Sequence, residues 1–254
     1  MKDNAFGGGY GAFAAVYDDL TRDVDYPALA EYYDGLIADF GAKKGAGGGI
    51  LLDLACGTGT LSLLMAKRGW DVIGADASPE MLGAAAGKPS KGVAYVCQDM
   101  TELDLYGTVD AAICALDGLN HLPDEAALFK SLSRVSLFMN AGGVFVFDVN
   151  TVYKHEKILG DHVFIKRSGG VYCVWSNHYE NDGVVDITLD IFRERRDGAY
   201  TKSVEEIREK AYPLDAVRAV SEEAGFNVRA CLDFMTRGEG GEDSEKAVFV
   251  LTKP

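Results

Sequence analysis

Apolar and polar positions follow two distinct patterns along this chain, and the first pattern occupies residues 49–150. Five short runs there are almost continuously apolar, which is typical of strands buried on both faces of a parallel sheet. These runs cover residues 49–54, 70–76, 93–99, 109–115 and 144–149. Amphipathic segments separate them, as expected of helices. The pattern therefore predicts an α/β fold in which helices flank a parallel sheet.

The second pattern, an alternation of apolar and polar residues, occupies residues 160–212. Every second residue from Val185 to Ile191 is apolar, and Asn181-Asp182-Gly183 is a typical hairpin turn. These features predict an antiparallel β insertion after the fifth strand, followed by a helix and a final hairpin. We expect all of these elements to lie within a single domain that spans residues 1–254.

Aromatic side chains mark the first 40 residues. Phe13, Tyr17 and Leu20 share one face at helical spacing, and a glycine-rich segment precedes them. This arrangement suits either a helix packed on the core or a mobile lid. In the second interpretation, residues 1–40 form an N-terminal helical lid in which Tyr10 and Tyr17 face a ligand.

The charge of the chain narrows the range of partners. Lys and Arg total 25 against 39 Asp and Glu, so the formal net charge is −14. Binding to a nucleic acid requires a basic patch, and no basic cluster is denser than Arg193-Glu194-Arg195-Arg196. We therefore expect a small neutral or cationic ligand and no nucleic-acid partner.

Metal and membrane roles are disfavoured as well. The five cysteines form no C-x-x-C pair, and the four histidines show no metal-binding spacing. No apolar run reaches the ~18 residues of a membrane helix. The first residues, Met1 to Ala5, lack the basic and apolar regions of a signal peptide. The sequence thus predicts a cytoplasmic protein without a metal site or a membrane partner.

Carboxylates follow the first four apolar runs. Asp53, Asp76, Asp99 and Asp117 fall at or just after the ends of these predicted strands. In parallel sheets the carboxyl ends of the strands meet at one edge, and ligands bind there. We therefore expect these side chains to gather around a ligand that donates hydrogen bonds.

A glycine-containing loop, Gly57-Thr58-Gly59, links the first strand to an amphipathic helix. This geometry holds small polar ligands at the helix N-terminus. A nicotinamide-binding loop would carry a third glycine at position 62, where this chain has Ser62. The missing glycine counts against a nicotinamide oxidoreductase, which is the alternative enzyme on a similar sheet.

Three motifs together resemble a known family. They are Asp53-Leu54-Ala55-Cys56-Gly57-Thr58-Gly59, Asp76 and Gln98-Asp99-Met100. In combination they resemble the first three motifs of class I S-adenosylmethionine-dependent methyltransferases, although Ala55 replaces a glycine that is frequent in the family. Residues 24–26 and 117–122 resemble the small-molecule subgroup. The resemblance implies a Rossmann-like, seven-stranded sheet flanked by helices.

The resemblance also implies S-adenosyl-L-methionine as the cofactor, with S-adenosyl-L-homocysteine as its product. Asp76 would accept charge-assisted hydrogen bonds from both ribose hydroxyls, and Asp99 would accept one from the adenine amine. Asp53 and the loop carbonyls suit the ammonium group, and Gly57 and Gly59 let the backbone approach the ligand. The residues expected to bind the cofactor are Tyr17, Asp53, Ala55, Cys56, Gly57, Thr58, Gly59, Asp76, Ala77, Met81, Gln98, Asp99, Met100 and Leu116.

The implied reaction is an in-line transfer of a methyl group to a small-molecule acceptor, whose site the insertion over residues 160–212 would cover. The subgroup resemblance and the negative charge favour an amine. His121, just after the fourth strand, is the candidate general base, and Tyr17 is a second catalytic candidate. His121 also suits packing against or capping the next helix.

A non-catalytic function is the alternative to the enzyme. The same motifs would serve a protein that only holds S-adenosylmethionine, such as a regulatory subunit. A homodimer is one assembly that the sequence leaves open.

Overall fold

The computed structural model describes residues 11–41, 49–89 and 91–254. The expectation for Tyr10, and for the part of the N-terminal lid before residue 11, lies outside these ranges. Within the ranges, strands and helices follow the alternating order that the apolar pattern predicts.

A seven-stranded sheet and a four-stranded sheet contain the strands of the described chain. The strands are β1 (Ile50–Leu54), β2 (Asp71–Asp76), β3 (Val93–Cys97), β4 (Val109–Cys114), β5 (Met139–Asn150), β6 (Val163–Ser168), β7 (Val171–Tyr179), β8 (Val184–Glu194), β9 (Tyr200–Lys210), β10 (Asn227–Asp233) and β11 (Lys246–Thr252). The larger sheet has the order β10-β11-β5-β4-β1-β2-β3. Its first five strands along the chain pair in parallel, and β11 lies antiparallel between β5 and β10. The predicted Rossmann-like sheet is confirmed.

Five helices of the described chain flank the larger sheet, and two short ones lie at the N-terminal side. The two short helices are α1 (Gly11–Ala14) and α2 (Tyr17–Leu20), and the flanking helices are α3 (Tyr26–Asp39), α4 (Thr60–Lys67), α5 (Pro79–Ala86), α6 (Glu125–Leu137) and α7 (Leu214–Glu223). Short 3-10 helices over Met100–Glu102 and Gly118–His121, and a π-helix over Lys154–Leu159, add turns that the apolar pattern does not predict. Across the described ranges, no helix is long and apolar enough to cross a membrane.

Capping residues set the starts of three of these helices. The side chains of Asp25, Ser78 and Asp124 each accept a hydrogen bond from the backbone N–H three residues later, at 2.8–3.2 Å. Pro27 and Pro79 occupy first turns, where the missing N–H of proline has no intrahelical partner to lose. α3 and α5 therefore begin directly after their capping residues, Asp25 and Ser78.

Alternate residues of the central strands pack into two cores, one on each face of the sheet. On β5, Phe145 and Phe147 belong to the core that includes α6 and α7. Val144 and Val146 belong to the core that includes α3 and α4. All four side chains are fully buried. Because both faces are covered, the strands need apolar residues at every position, which explains their continuous apolar runs.

The four-stranded sheet is the predicted antiparallel insertion, with the order β6-β7-β8-β9. Its inner face, which includes Ile187 and Leu189, packs against Phe13, Val16 and Leu20 from the N-terminal segment. That segment forms two short helices rather than one, because the backbone of Val16 is not helical (φ −127°, ψ 0°). The insertion therefore holds the N-terminal segment against the rest of the protein.

Candidate functional site

A cavity of about 480 Å³ opens at the carboxyl ends of β1, β2 and β4. Residues that follow β3 and two N-terminal tyrosines, Tyr17 and Tyr26, complete its lining. All of the residues expected to bind the cofactor line this cavity except Gly59, and His121 lines it too. The cavity thus lies at the edge of the sheet where parallel strands place ligands.

The loop after β1 uses backbone conformations that residues with a side chain rarely adopt. Ala55, Gly57 and Gly59 have φ angles of 56°, 55° and 70°. The N–H of Cys56 donates to the carbonyl of Ala75 at 3.0 Å, which fastens the loop to the end of β2. Glycine adopts the left-handed conformation more readily than alanine does, which gives a physical reason for the glycine that is frequent at this position in the family that the motifs resemble.

Replacing Ala55 with glycine should stabilise the protein. The left-handed conformation costs alanine about 1–2 kcal/mol, which glycine does not lose. Glycine also raises the conformational entropy of the unfolded chain, which offsets part of the stabilisation. We expect a net increase of about 0.5–1 kcal/mol in the free energy of unfolding, measured by chemical denaturation. Ala75→Gly on β2 is the matched control and should destabilise the protein. Equal destabilisation by both changes would contradict the strain at Ala55.

Gly59 lies against the side chain of Tyr95, whereas the sequence predicts that it approaches the ligand. Gly59 precedes α4 as its N-cap, and a Cβ built on it would lie 2.2 Å from Oη of Tyr95. Tyr95 extends from β3 behind the loop, where burial raises the pKa of its hydroxyl to about 12. The close approach that requires a glycine here is that of Tyr95.

Asp76 ends β2 and joins two loops. Its Oδ2 accepts a hydrogen bond from the N–H of Gly57 at 2.7 Å, and its Oδ1 accepts one from the N–H of Ser78 at 2.9 Å. Burial raises the pKa of Asp76, while these backbone bonds oppose the rise. A carboxylate oxygen can accept two hydrogen bonds, so both oxygens retain capacity for a ligand that donates two.

Asp53, at the end of β1, is almost completely buried. Its Oδ2 accepts a hydrogen bond from the hydroxyl of Ser62. Burial raises the pKa of Asp53 to about 7, although the Ser62 bond works in the opposite direction. Without a ligand, the carboxyl group therefore holds a proton more tightly in the folded protein than in the unfolded chain.

The stability of the ligand-free protein should depend on pH through Asp53. Because the folded pKa is raised, its contribution is complete at low pH and falls as the pH rises from about 4 towards 7. The expected slope is about 1.4 kcal/mol per pH unit in that window, relative to Asp53→Asn. Chemical denaturation of both proteins across the window measures the difference. Parallel stability curves for the two proteins would contradict the raised pKa.

Residues after β3 form one wall of the cavity. Oδ1 of Asp99 accepts hydrogen bonds from the N–H and hydroxyl of Thr101, at 2.7 and 2.8 Å, and so caps the 3-10 helix. The side-chain amide of Gln98 pairs with the backbone of Asp104. Gln98, Asp99 and Met100 all line the cavity, but the side-chain amide of Gln98 is already hydrogen-bonded within the fold.

Tyr17, Leu116 and His121 line the cavity from other elements. Leu116 follows β4, and His121 ends the 3-10 helix after it. The imidazole of His121 interacts electrostatically with Asp76 and with Asp117. The structure therefore brings both catalytic candidates, Tyr17 and His121, to the cavity that holds the predicted cofactor-binding residues.

The N-terminal segment contacts the glycine loop, which the sequence does not predict. Asp18 on α2 accepts a hydrogen bond from the hydroxyl of Thr58 and pairs with Lys88, both at 2.6 Å. Lys88 also donates to the carbonyl of Thr58 at 2.8 Å. Although burial favours the neutral acid, these partners hold the pKa of Asp18 below its usual range. No local motif joins residues so distant along the chain, so the fold alone reveals that α2 is fastened to the loop.

The donor and acceptor groups around the cavity suit S-adenosylmethionine. That molecule carries a ribose diol, an adenine amine, an ammonium group and a sulfonium, but no phosphate. Asp76 can accept from the diol, Asp99 from the amine and Asp53 from the ammonium. A phosphate-bearing dinucleotide would instead meet three carboxylates of its own charge sign.

Comparison with known proteins decides the family. Residues 51–137 match the family model for a methyltransferase domain. Over 248 residues, the chain is 30% identical to a putative methyltransferase of Geobacillus sp. (strain WCH70), covering 96% of this chain and 99% of that protein. This chain belongs to the class I S-adenosylmethionine-dependent methyltransferases. The methyltransferase is therefore an enzyme whose cofactor is S-adenosylmethionine, as its three motifs predict.

A solved structure of the same kind supports the assignment. The crystal structure of an S-adenosylmethionine-dependent methyltransferase from Clostridium acetobutylicum ATCC 824 has a TM-score of 0.83 and 28% identity, covering 96% of this methyltransferase and 98% of that chain. Partial matches include a glycine/sarcosine N-methyltransferase of Halorhodospira halochloris, 30% identical over 63% of this chain and 59% of that protein. O-methyltransferases also match over part of the chain.

Proposed function

We propose that this methyltransferase transfers a methyl group to an amine nitrogen of a small molecule. The observation that carries the proposal is the charge of the cavity. The described residues that line it include no lysine or arginine to repel a cation, and the formal net charge of the chain is −14. A negative field attracts cations and raises their local concentration, and an amine is the acceptor that arrives as a cation. Partial similarity to a glycine/sarcosine N-methyltransferase agrees with this choice.

The residues around the cavity have separate tasks in this proposal. S-adenosylmethionine supplies a methyl carbon that its sulfonium already activates towards attack. Leu116 excludes water from the reacting atoms, and Tyr17 restricts the position of the acceptor. A protonated amine has no free electron pair, so a ring nitrogen of His121 first accepts its proton, and the neutral amine then attacks through the electron pair that this frees. Alignment of the two reacting atoms supplies most of the rate enhancement.

The N-terminal segment acts as a lid in the same proposal. Tyr17 lines the cavity, and the neighbouring Asp18 is bound to Thr58 and Lys88. The insertion contributes none of the described residues that line the cavity, but it packs behind α1 and α2. We therefore propose that residues 160–212 influence the acceptor site by holding this lid in place. Direct cover of the acceptor by the insertion stays a prediction.

A labelling experiment tests the acceptor class. The purified protein is incubated with methyl-labelled S-adenosylmethionine and with matched acceptors, namely glycine against glycolate and glucosamine against glucose. A small-molecule cell extract is the third acceptor sample, and mass spectrometry locates the label in each product. We expect the label on nitrogen and no transfer to the hydroxyl member of a pair. A labelled methyl group on oxygen would contradict the amine proposal.

A further inference from the structure

The turn after β4 holds two adjacent residues in an unfavourable conformation. Leu116 and Asp117 have φ angles of 57° and 63°, in the left-handed region that favours glycine. Strain of this kind persists only where surrounding contacts enforce it, and it is frequent at functional sites. Leu116 lines the cavity, so the contacts that enforce the turn also shape the site.

A single carboxylate holds both residues of the turn. Asp148, fully buried on β5, accepts a hydrogen bond from the N–H of Leu116 at 2.7 Å on Oδ2 and from the N–H of Asp117 at 2.9 Å on Oδ1. The hydroxyl of Tyr33 donates to the same Oδ2 at 2.6 Å. Successive backbone N–H groups in a turn form a concave binding site for an anion. Here the anion is supplied by the protein itself.

Lys246 on β11 balances the charge of this arrangement. Its ammonium group lies 3.2 Å from Oδ1 of Asp148 and also donates to Asp117. The side chain of Asn150 donates to the other oxygen of Asp117 at 2.9 Å. A buried carboxylate is tolerated when it is paired and fully hydrogen-bonded. None of Asp148, Lys246 and Tyr33 lines the cavity, so their effect must pass through the turn.

The direction of the peptide groups indicates which groups of a ligand the turn can bind. No described peptide bond is cis, and in a planar trans peptide the carbonyl points opposite to the N–H. Because two N–H groups face Asp148, the carbonyls of Ala115 and Leu116 point away from that carboxylate. Ala115 and Leu116 themselves line the cavity. In the sheet, β1 lies between β4 and β2, the strand that ends at Asp76. The end of β4 therefore lies on the side of β1 away from the ribose, where the methionine portion of the cofactor would extend.

We propose that Asp148, supported by Tyr33 and Lys246, positions the carbonyls of Ala115 and Leu116 to accept hydrogen bonds from the ammonium group of the cofactor. The proposal rests on the placement of the cofactor in this cavity described above. It assigns Asp148 as a positioning residue, because its carboxylate touches the turn and not the ligand. It does not depend on which acceptor receives the methyl group.

Two ligands that differ only at the methionine end test this assignment. S-adenosylhomocysteine and 5′-methylthioadenosine share the nucleoside and a neutral thioether, but only the first carries the ammonium and carboxylate. For Asp148→Asn, calorimetry should show S-adenosylhomocysteine binding weakened about tenfold or more, because bonds to a charged group are lost. Binding of 5′-methylthioadenosine should change by less than about twofold. An equal loss for both ligands, or no loss for either, would overturn the proposal.

Two further variants keep the test decisive if Asp148→Asn does not fold. Tyr33→Phe keeps the buried ring and removes one hydrogen bond to Asp148, and we expect a selective loss of about fivefold for S-adenosylhomocysteine. Glu209→Gln is the matched control, since Glu209 is a buried acid in contact with Asn150 and not with the turn. It should leave both affinities unchanged. If Tyr33→Phe weakens both ligands equally, the positioning role is excluded.

The placement of the cofactor is tested separately. Asp76→Ala should weaken both ligands, because both carry the ribose. If Asp76→Ala affects neither ligand, the placement itself is wrong. If Asp76→Ala weakens both while Asp148→Asn and Tyr33→Phe show no selectivity, only the role of Asp148 fails.

Discussion

Replacing Asp76 with alanine is expected to weaken the binding of S-adenosylmethionine by about tenfold or more. Hydrogen bonds to a charged group contribute about 1.5–3 kcal/mol, and this carboxylate would make them to the ribose hydroxyls. The change also removes the acceptors of Gly57 and Ser78, which lie 2.7 and 2.9 Å from the carboxylate. The loop after β1 would therefore lose its hold on the end of β2. Titration calorimetry of the purified protein measures the affinity.

The control for this prediction lies on the same strand. Asp71 is exposed at the start of β2, away from the cavity, and Asp71→Ala should leave the affinity within about twofold of the original protein. A thermal unfolding curve of each variant separates lost binding from lost folding. An Asp76→Ala protein that remains folded and binds with unchanged affinity would remove Asp76 from the cofactor site.

The sheet and the location of the cavity could be predicted because both depend on local patterns. Strands buried on both faces require apolar residues at every position, so β1, β4 and β5 are visible as continuous runs. Asp53 and Asp76 lie at the ends of such runs, and the parallel arrangement brings these ends together. The positions of these residues could be predicted although they are far apart in the sequence, because each position depends only on the strand to which the residue belongs.

The contacts that hold the cavity in shape could not be predicted in this way. Asp148 and Lys246 are 98 positions apart and meet because β11 lies antiparallel to β5 in one register. Asp18 reaches Thr58 across 40 positions through the packing of α2. A buried acid on an apolar strand gives a signal that a partner exists, but only the strand register identifies it.

The positions of the two catalytic candidates could be predicted only in part. The position of His121 after β4 could be predicted from the strand end, whereas its interaction with both Asp76 and Asp117 depends on how the 3-10 helix turns back over the sheet. Tyr17 belongs to a segment whose apolar spacing suits either a core helix or a lid. Its place in the cavity results from the break at Val16 and from the insertion behind it.

His121→Ala should lower turnover by about a hundredfold, with the acceptor identified by the labelling experiment. General-base assistance contributes about 10²–10⁴ in rate, and alanine cannot accept the proton that the amine loses. S-adenosylmethionine affinity should stay within about twofold, since Asp76 remains in place to bind the ribose. The pH dependence that a histidine base imposes on the turnover number should also disappear. These three measurements together separate a base from a residue that only packs under the next helix.

The matched control for His121 is His178, an exposed histidine on β7. His178 is exposed and pairs with Asp161 at 2.9 Å, so His178→Ala should leave the turnover number and its pH dependence unchanged. If His121→Ala retains both the rate and the pH profile of the original protein, His121 is excluded as the base. The hydroxyl of Tyr17, the second catalytic candidate, is then tested by Tyr17→Phe, which should show the loss of rate instead, because it removes that hydroxyl and keeps the ring.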